Sequence, residues 1–239
     1  MDKSCRHFPT KYAVKAGVWM ICITGDIHGE YARFEHKKLK SLKEGDCLIV
    51  CGDFGFLWND SPQERAMLKK ISERRYRILF VDGTHENFAL LKRYPVSELY
   101  GGRVQKITDH IIHLLRGEIY TIEGHTFFTF GGGDSTDKDF RLDNGTWYCE
   151  EQPSPAEMAY AVRNLTAAGR QVDYIVTHQP AMKERALVEG IVPRTPLTDF
   201  LDELSHAVRY ERWYFGSLHK NKRLPHAHSL FTDIVTVGK

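Results

Sequence analysis

Met20-Ile21-Cys22-Ile23-Thr24-Gly25-Asp26-Ile27-His28-Gly29 is the stretch on which the reading of this chain turns. A short apolar and β-branched run ends on a glycine, and chemically active side chains follow at once. Such continuously apolar runs are strands covered on both faces. The pattern recurs: Cys47-Leu48-Ile49-Val50-Cys51 leads into Gly52-Asp53-Phe54-Gly55, and Arg77-Ile78-Leu79-Phe80-Val81 into Asp82-Gly83-Thr84-His85-Glu86-Asn87. Further along, Tyr174-Ile175-Val176-Thr177 leads into His178, and Trp213-Tyr214-Phe215 into Gly216-Ser217-Leu218-His219.

Helices are expected between these strands. One covers roughly Tyr31 to Leu42, and a second opens at Ser61-Pro62-Gln63-Glu64, a capping box with proline at the first helical position. A short one lies near Phe88 to Arg93. Ser154-Pro155-Ala156-Glu157 starts another that runs to about Ala168, and the last lies around Leu197 to His206. Strands alternating with helices pair in parallel through crossovers. The middle differs: Val104–Ile107, Ile111–Leu115, Glu118–Ile122 and Thr126–Phe130 read as a meander, followed by a long irregular segment from Gly131 to Pro153. The end is strand-like again at Ser229–Phe231 and Ile234–Val237. The expectation is one α/β domain over 20–239 with mixed sheets. Residues 1–19 carry Pro9, scattered charge and no sustained period, and read as an appendage outside the fold; translation from Met1 and from Met20 both fit.

Composition narrows the function. The 239 residues are 42% hydrophobic and 27% charged, enough for a packed core and unlike a disordered chain. A net charge of +2 argues against a binder of long nucleic acid, and no stretch approaches the ~18 apolar residues of a membrane span. The five cysteines are odd in number and form no Cys-x-x-Cys pair. With no secretory leader in the first residues, this usage points to a reducing, cytoplasmic setting.

Ligand sites in α/β sheets lie beyond the carboxyl ends of strands, so the five endings can converge on one crevice. Asp and imidazole together suit Mn, Fe or Zn. Asp26 and His28 are two residues apart, so extended backbone would part them and a turn must bring them together. Two ions ~3.5–4 Å apart can activate water and clamp a phosphoryl group, with a carboxylate such as Asp53 as the bridge. His226-Ala227-His228 reads as ordinary strand histidines and Gly131-Gly132-Gly133 as a tight turn, although three glycines can also cradle phosphate. Arg141 and Arg194, in long loops, are candidate phosphate clamps.

Taken together, Asp26-x-His28, Gly52-Asp53, Gly83-x-His85-Glu86, His178 and Gly216-x-x-His219 resemble the calcineurin-like metallophosphoesterases over about Met20 to Val237. The stretch from Asp139-Phe140-Arg141 to Trp147 is similar to a small bacterial subgroup. The resemblance implies a four-layer α/β/β/α sandwich of two mixed β-sheets flanked by helices, with one or two divalent ions between loops. It implies that Asp26, His28, Asp53 and His219 hold one ion, and that Asp53, His178 and the residues at 84 and 217 hold the second. His85 would protonate the leaving oxygen or stabilise the transition state. The chain departs from the family at Thr84, where the family has Asn, and at Ser217, where it has His. Both changes weaken the second position. The expected function is therefore hydrolysis of a phosphomonoester or phosphodiester, with one tightly bound ion and a phosphorylated small molecule or nucleotide as substrate. The alternative is a homologue that has lost catalysis and binds a metal or phosphorylated ligand. The family's protein phosphatases carry Asp-Arg-Gly after the second motif, and this chain reads Phe56-Leu57-Trp58 there, which disfavours a phosphoprotein.

Overall fold

The computed structural model describes residues 19–190 and 194–238; the expected appendage, Trp19 apart, lies outside them. Period-two alternation in the strands builds the layers. In β1 (Ile21–Thr24), β2 (Cys47–Val50) and β3 (Arg77–Phe80), every described apolar side chain is buried, but on alternate sides. Ile21, Ile23, Cys47, Ile49 and Leu79 face a central core, whereas Cys22, Leu48, Val50, Ile78 and Phe80 face an outer one. Cys22, Cys47 and Cys51 thus serve as small buried side chains, and burial raises the Cys51 thiol well above its ordinary value.

The outer core is closed by α1 (Lys37–Lys40), α2 (Pro62–Ser72) and α3 (Phe88–Leu91), which contribute Leu39, Leu68, Ile71, Phe88 and Leu91. The same sheet continues through β4 (Val96–Leu99), β5 (Gly102–Lys106) and β6 (Ile111–Leu114). The chain then enters a second sheet with β7 (Ile119–Ile122) and β8 (His125–Phe130), followed by α4 (Lys138–Asp143) and α5 (Pro155–Ala167). After β9 (Tyr174–Thr177) come α6 (Met182–Glu189) and α7 (Pro196–Ala207). The last strands are β10 (Arg212–Phe215), β11 (Lys222–Arg223), β12 (Ala227–Ser229) and β13 (Ile234–Thr236). In β8, β9 and β10, Phe127, Tyr174, Val176 and Tyr214 join the central core, while Phe128, Phe130, Ile175, Trp213 and Phe215 pack outward on α5 and α7.

Three apolar layers therefore separate four layers of structure. The seven-stranded sheet runs β13-β1-β2-β3-β6-β5-β4 and the six-stranded sheet β11-β12-β10-β9-β8-β7. The central strands β1, β2, β3 and β6 are parallel, as are β8, β9, β10 and β12; antiparallel strands occupy the edges. This is the four-layer α/β/β/α metallophosphoesterase sandwich, and the two parallel sets bring their carboxyl ends to one rim. Among the described residues no helix is long and apolar enough to cross a membrane.

Several elements differ from expectation. The helix expected over Tyr31–Leu42 is a 3-10 turn at Tyr31–Glu35 and the short α1, because His36 takes extended backbone (φ −59°, ψ 135°) and breaks the run. At Ser61 the capping box is half formed: Ser61 accepts from Glu64 N, but the Glu64 carboxylate caps the amides of Trp58, Asn59 and Asp60 instead of Ser61 N. At Ser154 both halves form. The strand expected at Ser229–Phe231 lies two residues earlier, since Leu230 and Phe231 turn away towards the β1 loop.

Candidate metal centre at the rim of the two sheets

The first two strand endings lock onto one another through backbone. Ile27 N and His28 N donate to Asp53 O (3.1 and 2.8 Å), and Gly29 N donates to Phe54 O (3.1 Å). The bend that brings Asp26 and His28 together comes from His28 itself, which sits at φ 49°. Asp53 (φ 47°), Ser217 (φ 66°) and His219 (φ 48°) share that left-handed backbone. Side chains enter this region reluctantly, and its concentration in these loops is what strained functional loops look like. Glycine is needed here for close approach. A Cβ on Gly216 would lie 2.1 Å from Asp26 Oδ1, and one on Gly83 would lie 2.0 Å from Asp53 Oδ1.

Two carboxylates occupy the middle of the cluster. Asp26 is fully buried; its Oδ2 lies 3.0 Å from His219 Nε2 and 3.8 Å from His28 Nε2, and its Oδ1 lies 3.8 Å from His178 Nδ1. Ser217 N donates to both of its oxygens (2.9 and 3.1 Å). Asp53, 2% exposed, lies 3.7 Å from both His28 and His178. His85 N donates to Asp53 Oδ1 (2.7 Å), and His85 Nδ1 lies 3.1 Å from Asp53 Oδ2. Ligand atoms of Asp26, His28 and His219 fall within 4.8 Å of one another, as do those of Asp26, Asp53 and His178. Asp26 is thus common to both groups, where sequence reasoning assigned the sharing to Asp53 alone.

The donor chemistry suits a divalent cation. His178 Nδ1 lies 3.0 Å from Cys51 O; a carbonyl only accepts, so that nitrogen carries a proton and the ring is turned with Nε2 towards Asp53. His28 Nε2 and His219 Nε2 point at each other across 2.9 Å, and His219 stacks on Phe231 with centroids 4.7 Å apart. Converging imidazoles around two buried carboxylates fit Mn, Fe or Zn.

Electrostatics follow the same geometry. Burial pushes the Asp53 carboxyl up, but His178, His85 and His28 outweigh it and hold it well below the usual range. The hydrogen bond to Asp53 raises His85 to about 9 against its partial burial. The bond to Asp26 raises His219, whereas burial lowers His28 in spite of both carboxylates.

The departing positions lie in the same loops. Thr84 is buried with Oγ1 3.0 Å from His85 Nδ1, and Ser217 serves Asp26 through its backbone amide. Of the arginines singled out in sequence, Arg141 reaches the edge of this cluster, its Nη1 4.0 Å from Oδ1 of Asp137, whose Oδ2 lies 3.0 Å from His85 Nε2. Arg141, 3% exposed, donates to Glu151 Oε2 (2.8 Å) and Thr146 O (3.0 Å); Arg194 is exposed and donates to Asp199 Oδ1 (2.7 Å). Gly131-Gly132-Gly133 is a close-packing strip, since a Cβ on Gly131 would lie 2.3 Å from Asp82 Oδ1. His228 lies against Tyr214, 6.5 Å between centroids.

Sequence reasoning missed Asp137, whose Oδ2 lies 3.0 Å from His85 Nε2, and Arg33, which donates to Asp26 O (2.9 Å), Thr24 Oγ1 (3.0 Å) and Phe231 O. It also missed Glu86, fully buried, which accepts from Phe54 N (2.9 Å). Only Glu86 carried a signal, its place directly after His85.

A two-sheet sandwich with carboxylates and imidazoles gathered at its shared carboxyl rim brings together groups that could hold a metal ion. The family model described as Calcineurin-like phosphoesterase matches residues 20–221, and the chain belongs to that family. No curated protein matches it. Among solved structures it is similar to the phosphopantetheinyl hydrolase of Mycobacterium tuberculosis at 16% identity, over 89% of this chain and 88% of that one, with a TM-score of 0.37, a likeness on which nothing below rests.

Proposed function

We propose that the protein, with residues 20–239 working as one domain, hydrolyses a phosphomonoester or phosphodiester of a small molecule. The observation that carries this is the convergence of buried Asp26 and Asp53 with His28, His178 and His219 at one rim. Asp26, His28, Asp53 and His219 would hold the better ion. Asp53 and His178 would hold a second, more weakly, because Thr84 and Ser217 add no imidazole or amide. A divalent ion bound there lowers the pKa of water towards ~7 and offsets charge on phosphoryl oxygens.

The chain's own part is orientation. Backbone amides of His85 and Ser217 fix the two carboxylates, and Cys51 O fixes the His178 ring. His85 stands beside the cluster, where it would hand a proton to the departing oxygen. Thr84 and Ser217 favour a second reading, a homologue that binds metal or a phosphorylated ligand without turnover. Elemental analysis of freshly purified protein, with alcohol release from a panel of monoesters and diesters in Mn, separates the two. Bound ion with release supports the esterase, ion without release on any substrate supports the binder, and absence of both overturns each.

A further inference from the structure

A groove of about 540 Å3 opens between His28 and His85 on one side and the loop after β2 with the first turns of α2 on the other. Phe56, Trp58 and Met67 form its apolar walls and Gln63 adds an amide. Among the described residues no lysine or arginine lines it, and the one charged side chain on the α2 wall is the Glu64 carboxylate.

That wall is held in place before any ligand arrives. Glu64 accepts from the amides of Trp58, Asn59 and Asp60, the last at 2.7 Å, while Asn87 Nδ2 donates to Trp58 O (2.6 Å). Asn87 lies two residues after His85, so the position of Trp58 is tied to the segment carrying His85. Walls fixed in advance lose little freedom on binding.

We propose that this groove takes the leaving group of the ester, and that the group is a flat, uncharged aromatic body, either a nucleobase-bearing or an aryl alcohol. The assignment rests on the phosphoesterase reading. An ester whose phosphorus lies at the Asp26–Asp53 cluster has His85 beside its departing oxygen, and the groove continues from there. Trp58 offers a π face, and Met67 adds a polarisable thioether that favours aromatic contact. Away from the His28 and His85 end, a body with further negative charge would meet Glu64 and no lysine or arginine.

Adenosine, phenol and ribose, none of which the enzyme can hydrolyse, are titrated calorimetrically into the full chain with Mn. Stacking on one aromatic side chain is worth roughly tenfold in affinity. Adenosine or phenol should therefore bind about tenfold tighter than ribose, with the better of the two identifying a nucleobase or aryl source. Trp58→Ala should bring that preference to about twofold or less. Met67→Ala, on an exposed helix, should also reduce it and serves if the first variant does not fold. 4-Hydroxybenzoate, which adds a carboxylate to phenol, should bind more weakly than phenol. Equal affinity for all three probes, a preference that survives both substitutions, or tighter binding of 4-hydroxybenzoate overturns the assignment. Alcohol release from the monophosphates and the methyl phosphodiesters of adenosine and phenol on the same samples keeps the two readings apart. A base or aryl preference without release sinks the esterase alone, and release without preference sinks the groove assignment alone.

Discussion

Three imidazoles lie within 3.7 Å of Asp53 and a backbone amide donates to it at 2.7 Å. Asp53→Asn keeps the shape and removes the charge. Metal content should fall below a tenth of wild type and turnover by about 10²-fold or more, the scale at which a single electrostatic contact to the transition state counts. Elemental analysis and alcohol release read the two effects. Unchanged metal content in a folded Asp53→Asn protein would remove Asp53 from the ligand set. Thr84→Asn with Ser217→His is the complementary change. In a manganese titration it should add a second ion equivalent, and activity should rise with it; a stoichiometry that stays the same would show that the loops cannot close on a second ion even with better donors.

At the scale of elements, Arg33 shows how a short 3-10 turn fixes the site. Its guanidinium fastens the β1 loop at Asp26 O to the Phe231 segment ahead of β13. Lysine keeps the charge but lacks the planar fork. Arg33→Lys should lower metal affinity and reduce the melting temperature by a few degrees, the effect of losing about 1 kcal/mol or more, and calorimetry with and without Mn checks both. Local pattern reading would not have placed Arg33, because one of its partners, Phe231, lies 198 residues away. The strand–loop–helix units were legible because Cys47–Val50 and Tyr174–Thr177 are unbroken apolar runs. Edge strand β4 was not: Val96–Leu99 is half exposed and has no apolar run, although Pro95 and Gly101-Gly102 flank it. Short α4 and α6 are too polar to show a helical stripe. Among site residues the strand-end Asp and His side chains were visible, whereas Asp137 sits in the irregular segment where sequence offers no register to project from.

Across the whole molecule, one buried network joins the two sheets. Asp82, at the end of β3, accepts from Arg116 Nε (2.9 Å), lies 3.2 Å from His113 Nε2 on β6, and its backbone oxygen accepts from Gly132 N after β8 (2.8 Å). Burial alone would raise the Asp82 carboxyl, but Arg116 first and His113 next hold it well below its ordinary value. A carboxyl depressed in the fold adds stability above its unfolded pKa of ~3.9, and that stability is lost as pH falls below this. Denaturant unfolding should show the wild type losing stability below about pH 4. Asp82→Asn should lose about 3 kcal/mol at pH 7 and show a shallower acid limb. An acid limb of the same slope in the variant would assign the loss to other carboxylates.

The pairing of Cys22 with Thr236 has a consequence for how the molecule comes into being. Asp26 and Asp53 belong to the first sheet's strands and His178 and His219 to the second's, and β13 returns to flank β1 only after both have been laid down. A nascent chain that has emerged only as far as β6 holds the carboxylates without two of their imidazole partners. On the proposed function, the full ligand set would assemble only when nearly all of the polypeptide has left the ribosome, and partly made chains would carry no premature hydrolytic centre.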